Sequence, residues 1–210
     1  MPLSRPDQMT IEKTPSYFVT ATVPERIYRM SNETKLLVVV RDPVTRAVSH
    51  YTQVTTKRSN IPSFERLAFS NRSDSSVEIN ASWGALQIGI YAKHLETWLR
   101  FFPLDRMHFV SGEGLISDPA AELEKVQDFL GLSRAVTRDQ FFFSSAKKGF
   151  PCLRKLSVVS PQQQRLHCLG KNKGRSHPTV DARLIESLRR FFRPYNELFY
   201  RMTKIDFGWP

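Results

Sequence analysis

Glycine is absent before Gly84, and only nine occur in 210 residues. No Walker-type phosphate loop, a Gly-rich turn running into Lys and then Ser or Thr, occurs anywhere in the chain. Apolar runs are short too. The longest aliphatic one is Leu36 to Val40, far below the ~20 residues of a membrane-spanning helix. The N-terminus, Met1-Pro2-Leu3-Ser4-Arg5-Pro6, has no apolar core of a signal peptide. Acidic residues number 20 against 31 Lys and Arg, a net charge of +11, and between Gln140 and Val180 they are missing altogether. A surplus of this size favours polyanionic partners: nucleic acid, a phosphorylated cofactor, acidic polysaccharide or an anionic membrane surface.

The composition, 40% apolar and 24% charged, is that of a globular chain, and the length suits one domain spanning 1–210. Lys35 to Val40 reads as a strand buried on both faces of a parallel sheet. Pro43 then opens a helix whose apolar positions are Val44, Ala47, Val48, Tyr51 and Val54. Helices are also expected at Pro24 to Met30, at Ser63 to Phe69 with Ser63 as N-cap, over the whole of Ser82 to Phe102, at Asp118 to Leu130 with Gly131 as the cap, and at Asp181 to Met202. Strands are expected at Met107 to Val110 and, in short pieces, at Phe141 to Phe143, Phe150 to Leu153 and Arg165 to Leu169. Thr10 to Thr14 reads as a strand end, and residues 71–80 as a polar loop. Alternating strands and helices imply an α/β fold with a mostly parallel central sheet.

Three segments could carry chemistry. In the first, the buried strand delivers Arg41 to the sheet's C-terminal edge, where α/β proteins bind ligands. The next helix begins there with unpaired N–H groups, and Ser49 lies two turns in. The alternative is that Arg41 simply pairs with Asp42 or another acid. In the second, Lys13 sits beside the Pro15 turn, where an ammonium could neutralise charge on a transferring group; a lone surface Lys is the commoner case. In the third, Cys168 to Pro178, two glycines with Lys173 and Arg175 form a turn suited to an anion; a solvated basic loop is the alternative.

The acid-free window holds eight cations (Lys147, Lys148, Arg154, Lys155, Arg165, Lys171, Lys173, Arg175) and both cysteines. Cys152 and Cys168 flank a polar loop and suit a disulfide that pins a hairpin, worth about 3 kcal/mol in the chain-entropy account. Free thiols, or a zinc site with His167 and His177, are the alternatives, though the spacing fits no usual zinc pattern. Asn32-Glu33-Thr34, Asn71-Arg72-Ser73 and Asn80-Ala81-Ser82 are glycosylation triplets. Together with the cysteine pair they favour a secretory-pathway protein.

In this order, Glu12-Lys13-Thr14-Pro15-Ser16-Tyr17-Phe18, the block from Arg41 to Tyr51, Ile88-Gly89-Ile90-Tyr91-Ala92, Phe109-Val110-Ser111-Gly112-Glu113, Lys148 to Leu153 and Cys168 to Arg175 resemble the heparan sulfate glucosamine 3-O-sulfotransferases. The similarity runs from about Met9 to Trp209.

The resemblance implies a sulfotransferase-type, P-loop-like α/β fold. It implies transfer of a sulfuryl group from 3′-phosphoadenosine 5′-phosphosulfate to the 3-hydroxyl of a glucosamine in heparan sulfate, in the Golgi lumen. Arg41 and Ser49 match positions that hold the cofactor's 3′-phosphate, and Lys173, Gly174, Arg175, Ser176 and His177 match the late cofactor loop. Lys13 matches a lysine at the reaction centre. Thr14, Pro15, Ser16, Gln53, Ala81 and Ser82 match acceptor-contacting positions, and Cys152 with Cys168 matches the family disulfide. A monomer is expected, with no metal, no membrane segment and no nucleic-acid partner.

The family's first strand–loop–helix unit, which cradles the 5′-phosphosulfate, and the carboxylate base that follows it do not occur in these 210 residues. His50 and His94 read as structural. Poor or absent transfer by this chain alone is therefore expected, and a non-catalytic heparan sulfate-binding protein on the same fold is the alternative.

Overall fold

The computed structural model describes residues 5, 8–72, 77–143, 150–155, 165–170 and 174–210. Its centre is a parallel pair, β1 (Leu36–Val40) and β4 (Met107–Ser111), in register from Leu36 opposite Met107 to Val40 opposite Ser111. Two antiparallel sheets lie at the periphery: β2 (Phe69–Arg72) with β3 (Val77–Ile79), and β5 (Phe141–Phe143), β6 (Pro151–Lys155) and β7 (Arg165–His167) in that order.

The helices are α1 (Val23–Met30), α2 (Pro43–Thr55), α3 (Phe64–Ala68), α4 (Gly84–Gly89), α5 (Tyr91–Leu99), α6 (Gly112–Ser117), α7 (Pro119–Leu130) and α8 (Ala182–Thr203). Their ends follow local chemistry. Asp42, Ser63, Asp118 and Asp181 each accept a backbone N–H of the helix they open, which satisfies donors the first turn leaves orphaned. Gly131 closes α7 in the left-handed conformation at φ 77°, which glycine adopts without steric cost.

Leu36, Val38 and Val40 point into one cluster with Leu95 and Trp98 of α5, Phe109 of β4, Phe199 of α8 and Trp209. A second cluster joins Val44 and Ala47 of α2, Phe64 of α3, Leu86 of α4 and Leu184, Leu188 and Phe192 of α8. α8 thus underlies both. Its buried residues recur every three or four positions from Leu184 to Thr203, a single apolar stripe.

Four expectations need correction. β1 is buried on one face only: burial alternates along it, Leu37 is 37% exposed and Val39 63%. On that side α7 packs over β4, with the Phe129 ring stacked on His108 at 5.3 Å and Val110 buried. Among the described residues nothing extends the cover across β1. The Ser82–Phe102 helix is two helices broken at Ile90 (ψ 70°). Thr10 to Thr14 is not a strand: among the described residues no segment pairs with it, and the next regular element is a 3₁₀ turn, Tyr17–Val19. Within residues 71–80, Val77–Ile79 pairs antiparallel with Phe69–Arg72. The 3₁₀ turn at Arg138–Gln140 and the short helix α6 were not anticipated from the sequence.

Candidate active site

The parallel register sets the site. Val40 lies opposite Ser111, so both strands end level and the chain leaves each into a helix, α2 from β1 and α6 from β4. Arg41 occupies this C-terminal edge. Its side chain is 33% exposed, and its Nε is 3.6 Å from Glu113 Oε1, an ion pair but too long for a hydrogen bond. Glu113 Oε1 also accepts the Asp42 N–H at 3.0 Å. Asp42, itself buried, accepts the Val44 and Thr45 N–H groups and caps α2. Among the described residues Arg41 therefore pairs with Glu113, while its neighbour Asp42 is committed to the helix.

The Tyr91 hydroxyl donates to Arg41 O at 2.8 Å. Burial, more than any other influence, pushes Tyr91 up to about 12, so the phenol stays protonated and remains a donor across ordinary pH. Tyr91 also touches the Lys13 segment through Phe18, whose ring lies 6.4 Å from it. Phe18 is held in turn by Trp98 Nε1, which donates to its carbonyl at 3.0 Å. Lys13 itself is exposed, at no strand end, and Thr14 Oγ1 donates to Glu12 Oε1 at 2.5 Å. Pro15 and Ser16 are exposed beside it.

Ser49 and Gln53 lie four residues apart on α2, Ser49 half-buried and Gln53 exposed. Thr52, buried, gives its one hydroxyl proton to Val48 O at 2.9 Å. The 3.1 Å contact with His177 is therefore His177 Nδ1–H donating to Thr52 Oγ1. This bond brings the late loop onto α2. Gly174 stands at φ 65°, and a Cβ there would meet the Phe150 ring at 2.9 Å, so glycine is needed twice over, for backbone and for space. Arg175 is half-buried and Ser176 exposed. Lys173, with Lys147, Lys148 and Lys171, lies outside the described residues.

Phe150 precedes β6, which the Cys152–Cys168 disulfide holds near β7. The pairing expected from the sequence is therefore present, and the free-thiol and zinc alternatives fall away; among the described residues no His, Cys, Asp and Glu cluster could hold a metal. At Ala81 and Ser82, which the resemblance matched to acceptor contacts, Gln87 Nε2 donates to Ala81 O at 2.5 Å and Ser82 Oγ to Asn80 Oδ1 at 2.6 Å. Asn80 Nδ2 donates to Leu67 O at 3.0 Å, so the third glycosylation triplet has its amide engaged at both ends, whereas Asn32 lies in an exposed turn.

Arg46 lies beneath this surface, donating to Ala85 O. Burial pulls its guanidinium below the usual value. Its charge helps to hold His50 and His94 below the usual imidazole value, although burial is the main cause in both, and burial lowers His108 as well. These folded values lie under the unfolded one, so the stability the three histidines give is complete above about pH 6.5 and is lost as pH falls through the folded values. The Tm is expected to fall between pH 7.5 and pH 5, with a shallower fall in His50→Gln/His94→Gln. A Tm that rises on acidification contradicts this.

The sulfotransferase domain model matches residues 4–205. The chain belongs to the sulfotransferase family. It is 58% identical over 209 residues to the human heparan sulfate glucosamine 3-O-sulfotransferase 3B1, covering all of this chain and 52% of that protein, and 53% identical to the human 3-O-sulfotransferase 6, covering 59% of it. The chain thus spans little more than half the length of these curated relatives. A solved sulfotransferase from Alicyclobacillus acidocaldarius superposes on 92% of this chain and 64% of its own with a TM-score of 0.62 at 18% identity, which supports the α/β fold. Glu113, Tyr91 and Thr52 were not picked out as site residues from the sequence. The Tyr91 and Glu113 motifs were visible there, but their contacts with the Arg41–Asp42 junction form only when α5 and the end of β4 are packed against β1.

Proposed function

We propose that this sulfotransferase chain carries the 3′-phosphate side of a 3′-phosphoadenosine 5′-phosphosulfate site and the acceptor surface for heparan sulfate, and that its reaction is sulfuryl transfer to the 3-hydroxyl of glucosamine. The observation that carries the reading is Arg41 at the C-terminal edge of β1, oriented by Glu113 beside the N-terminus of α2, in a chain so similar to named heparan sulfate 3-O-sulfotransferases.

The residues present suit the nucleotide. A guanidinium fork takes two oxygens of a phosphate dianion, and the Ser49 hydroxyl adds a donor two turns along α2. The loop through Gly174, Arg175, Ser176 and His177, docked on Thr52, closes over the same helix. When bound, the cofactor supplies the activated sulfuryl group. The chain's own part is positioning and charge neutralisation, which carry most of the catalysis in transfers of this kind. Lys13 holds an ammonium where leaving-group charge builds. Gln53, Ala81 and Ser82 present hydrogen-bonding groups to the saccharide, and the net charge of +11 draws in a polyanion. The disulfide and the glycosylation triplets support a Golgi-lumen setting.

Calorimetry with 3′-phosphoadenosine 5′-phosphate tests the cofactor side, and disaccharide analysis of heparan sulfate incubated with the chain and the sulfate donor tests transfer. Micromolar nucleotide binding is expected. Transfer by these residues alone is expected to be slow or absent, because the strand–loop–helix unit that the family resemblance assigns to the 5′-phosphosulfate does not occur among them. No nucleotide binding together with intact heparin affinity would instead make this a polysaccharide-binding protein.

A further inference from the structure

We propose that Glu113 is a positioning residue that aims Arg41 at the nucleotide's 3′-phosphate; the inference rests on the cofactor reading above. Glu113 is held between two glycines that the packing requires. A Cβ on Gly112 would stand 3.0 Å from Val40 O and 3.2 Å from Arg41 Cβ, so the turn out of β4 passes directly against the end of β1. A Cβ on Gly114 would stand 2.7 Å from Glu122 Cγ. Glu122 is buried, and its Oε2 accepts the Ser111 N–H at 2.9 Å. Ser111 Oγ accepts the Gly114 N–H at 3.0 Å. The backbone on both sides of Glu113 is thereby fixed, and its carboxylate is delivered to the junction of β1 and α2.

There Oε1 does two things. It accepts the Asp42 N–H, fixing the residue that caps α2, and it faces the Nε edge of the Arg41 guanidinium. Arg41 Nε and Glu113 Oε2 are both shielded from solvent and have no hydrogen-bond partner among the described residues. A guanidinium approached on its Nε side keeps the Nη1 and Nη2 fork for another anion. Nε stands 3.6 Å from Oε1, so a small closing movement would convert the ion pair into a hydrogen bond as the fork engages. A carboxylate so close to a phosphate site would weaken binding if charge alone mattered. The inference is that orientation outweighs this repulsion.

The sign of the effect decides the matter. Nucleotide affinities of the full chain and its variants are measured with 3′-phosphoadenosine 5′-phosphate and with adenosine 5′-phosphate, which lacks the 3′-phosphate. Glu113→Ala is expected to weaken the first by about tenfold, the scale of losing a supporting partner behind a ligand-binding side chain, and to leave the second unchanged. Glu113→Gln keeps the acceptor for the Asp42 N–H and is expected to recover part of the loss. Unchanged or tighter binding of the 3′-phosphorylated nucleotide in both variants overturns the proposal, and so does an equal loss for the two nucleotides.

Failure of the wild-type chain to bind 3′-phosphoadenosine 5′-phosphate would count against the cofactor reading instead. The positioning is then read without nucleotide from the Arg41 Nε–H resonance, assigned by its loss in Arg41→Lys. A shift in Glu113→Gln but not in Glu124→Gln supports the proposal, and an unmoved resonance overturns it.

Discussion

Arg41→Ala is expected to weaken binding of 3′-phosphoadenosine 5′-phosphate by about 100-fold while the protein stays folded. A bidentate guanidinium–phosphate contact contributes on the order of 3 kcal/mol, and each 1.4 kcal/mol is a factor of ten. The fold does not need the side chain. It is one-third exposed, and the bonds that tie this point of the chain together run through the Arg41 carbonyl to Tyr91 and the Asp42 N–H to Glu113, which the substitution leaves in place. Arg41→Lys should fall between, keeping the charge but not the fork. Adenosine 5′-phosphate should bind both variants as it binds the wild type. Calorimetry at fixed ionic strength reads all of this, and an unchanged affinity in Arg41→Ala removes the cofactor site from this edge of the sheet.

What the sequence made legible was local. Five consecutive aliphatic residues specify β1, Asp42 and Pro43 specify the start of α2, and Asp118 with Gly131 brackets α7, because capping and backbone preference act within a turn of the residue that causes them. The cysteine pair was legible in part: two cysteines around a polar loop suit a disulfide-pinned hairpin, but only the fold decides against free thiols or zinc. What escaped depended on distant partners. The apolar spacing of Leu86, Ile90 and Leu95 is continuous, yet the helix breaks at Ile90. At the break Gly89 packs against Phe192 and Pro43, residues far away in the chain. The Lys13 segment has a strand-like composition, but a strand needs a neighbour, and here Phe18 is anchored on α5 instead. Leu37 and Val39 look as buried as Val38, and whether they are depends on what covers the sheet.

The candidate site divides the same way. Arg41 could be placed at a sheet edge because the strand before it and the helix after it are both marked in the sequence. Glu113 could not be placed, because its meaning arises when β4 runs parallel to β1 with Ser111 beside Val40. Tyr91 is similar: its motif gave no role, but its buried ring contacts Phe18 and its hydroxyl donates to the Arg41 carbonyl. The residues proposed to meet the ligand were thus easier to find than those that hold them.

The largest effect on stability is expected from Phe192→Ala. Phe192 is fully buried in the cluster that joins α8 to α2, α3 and α4. Removing such a ring costs about 3–5 kcal/mol in lost transfer energy and cavity formation. For a chain of this length that lowers the Tm by roughly 6–20 °C, and it consumes much of a total stability of about 5–15 kcal/mol. The geometry allows a sharper test than the loss itself. A Cβ on Gly89 would stand 3.0 Å from Phe192 Cε1 and 3.1 Å from Pro43 Cβ, so Gly89→Ala in the wild type crowds both the ring and the first residue of α2. In Phe192→Ala the ring is gone and the same methyl enters vacated space. The two substitutions should therefore be non-additive, with Gly89→Ala destabilising the wild type clearly and Phe192→Ala less, the Pro43 contact alone remaining there. Additive thermal shifts would mean that α8 does not press on the α4–α5 break as described, and that the start of α2, with Arg41 ahead of it, is held by other contacts.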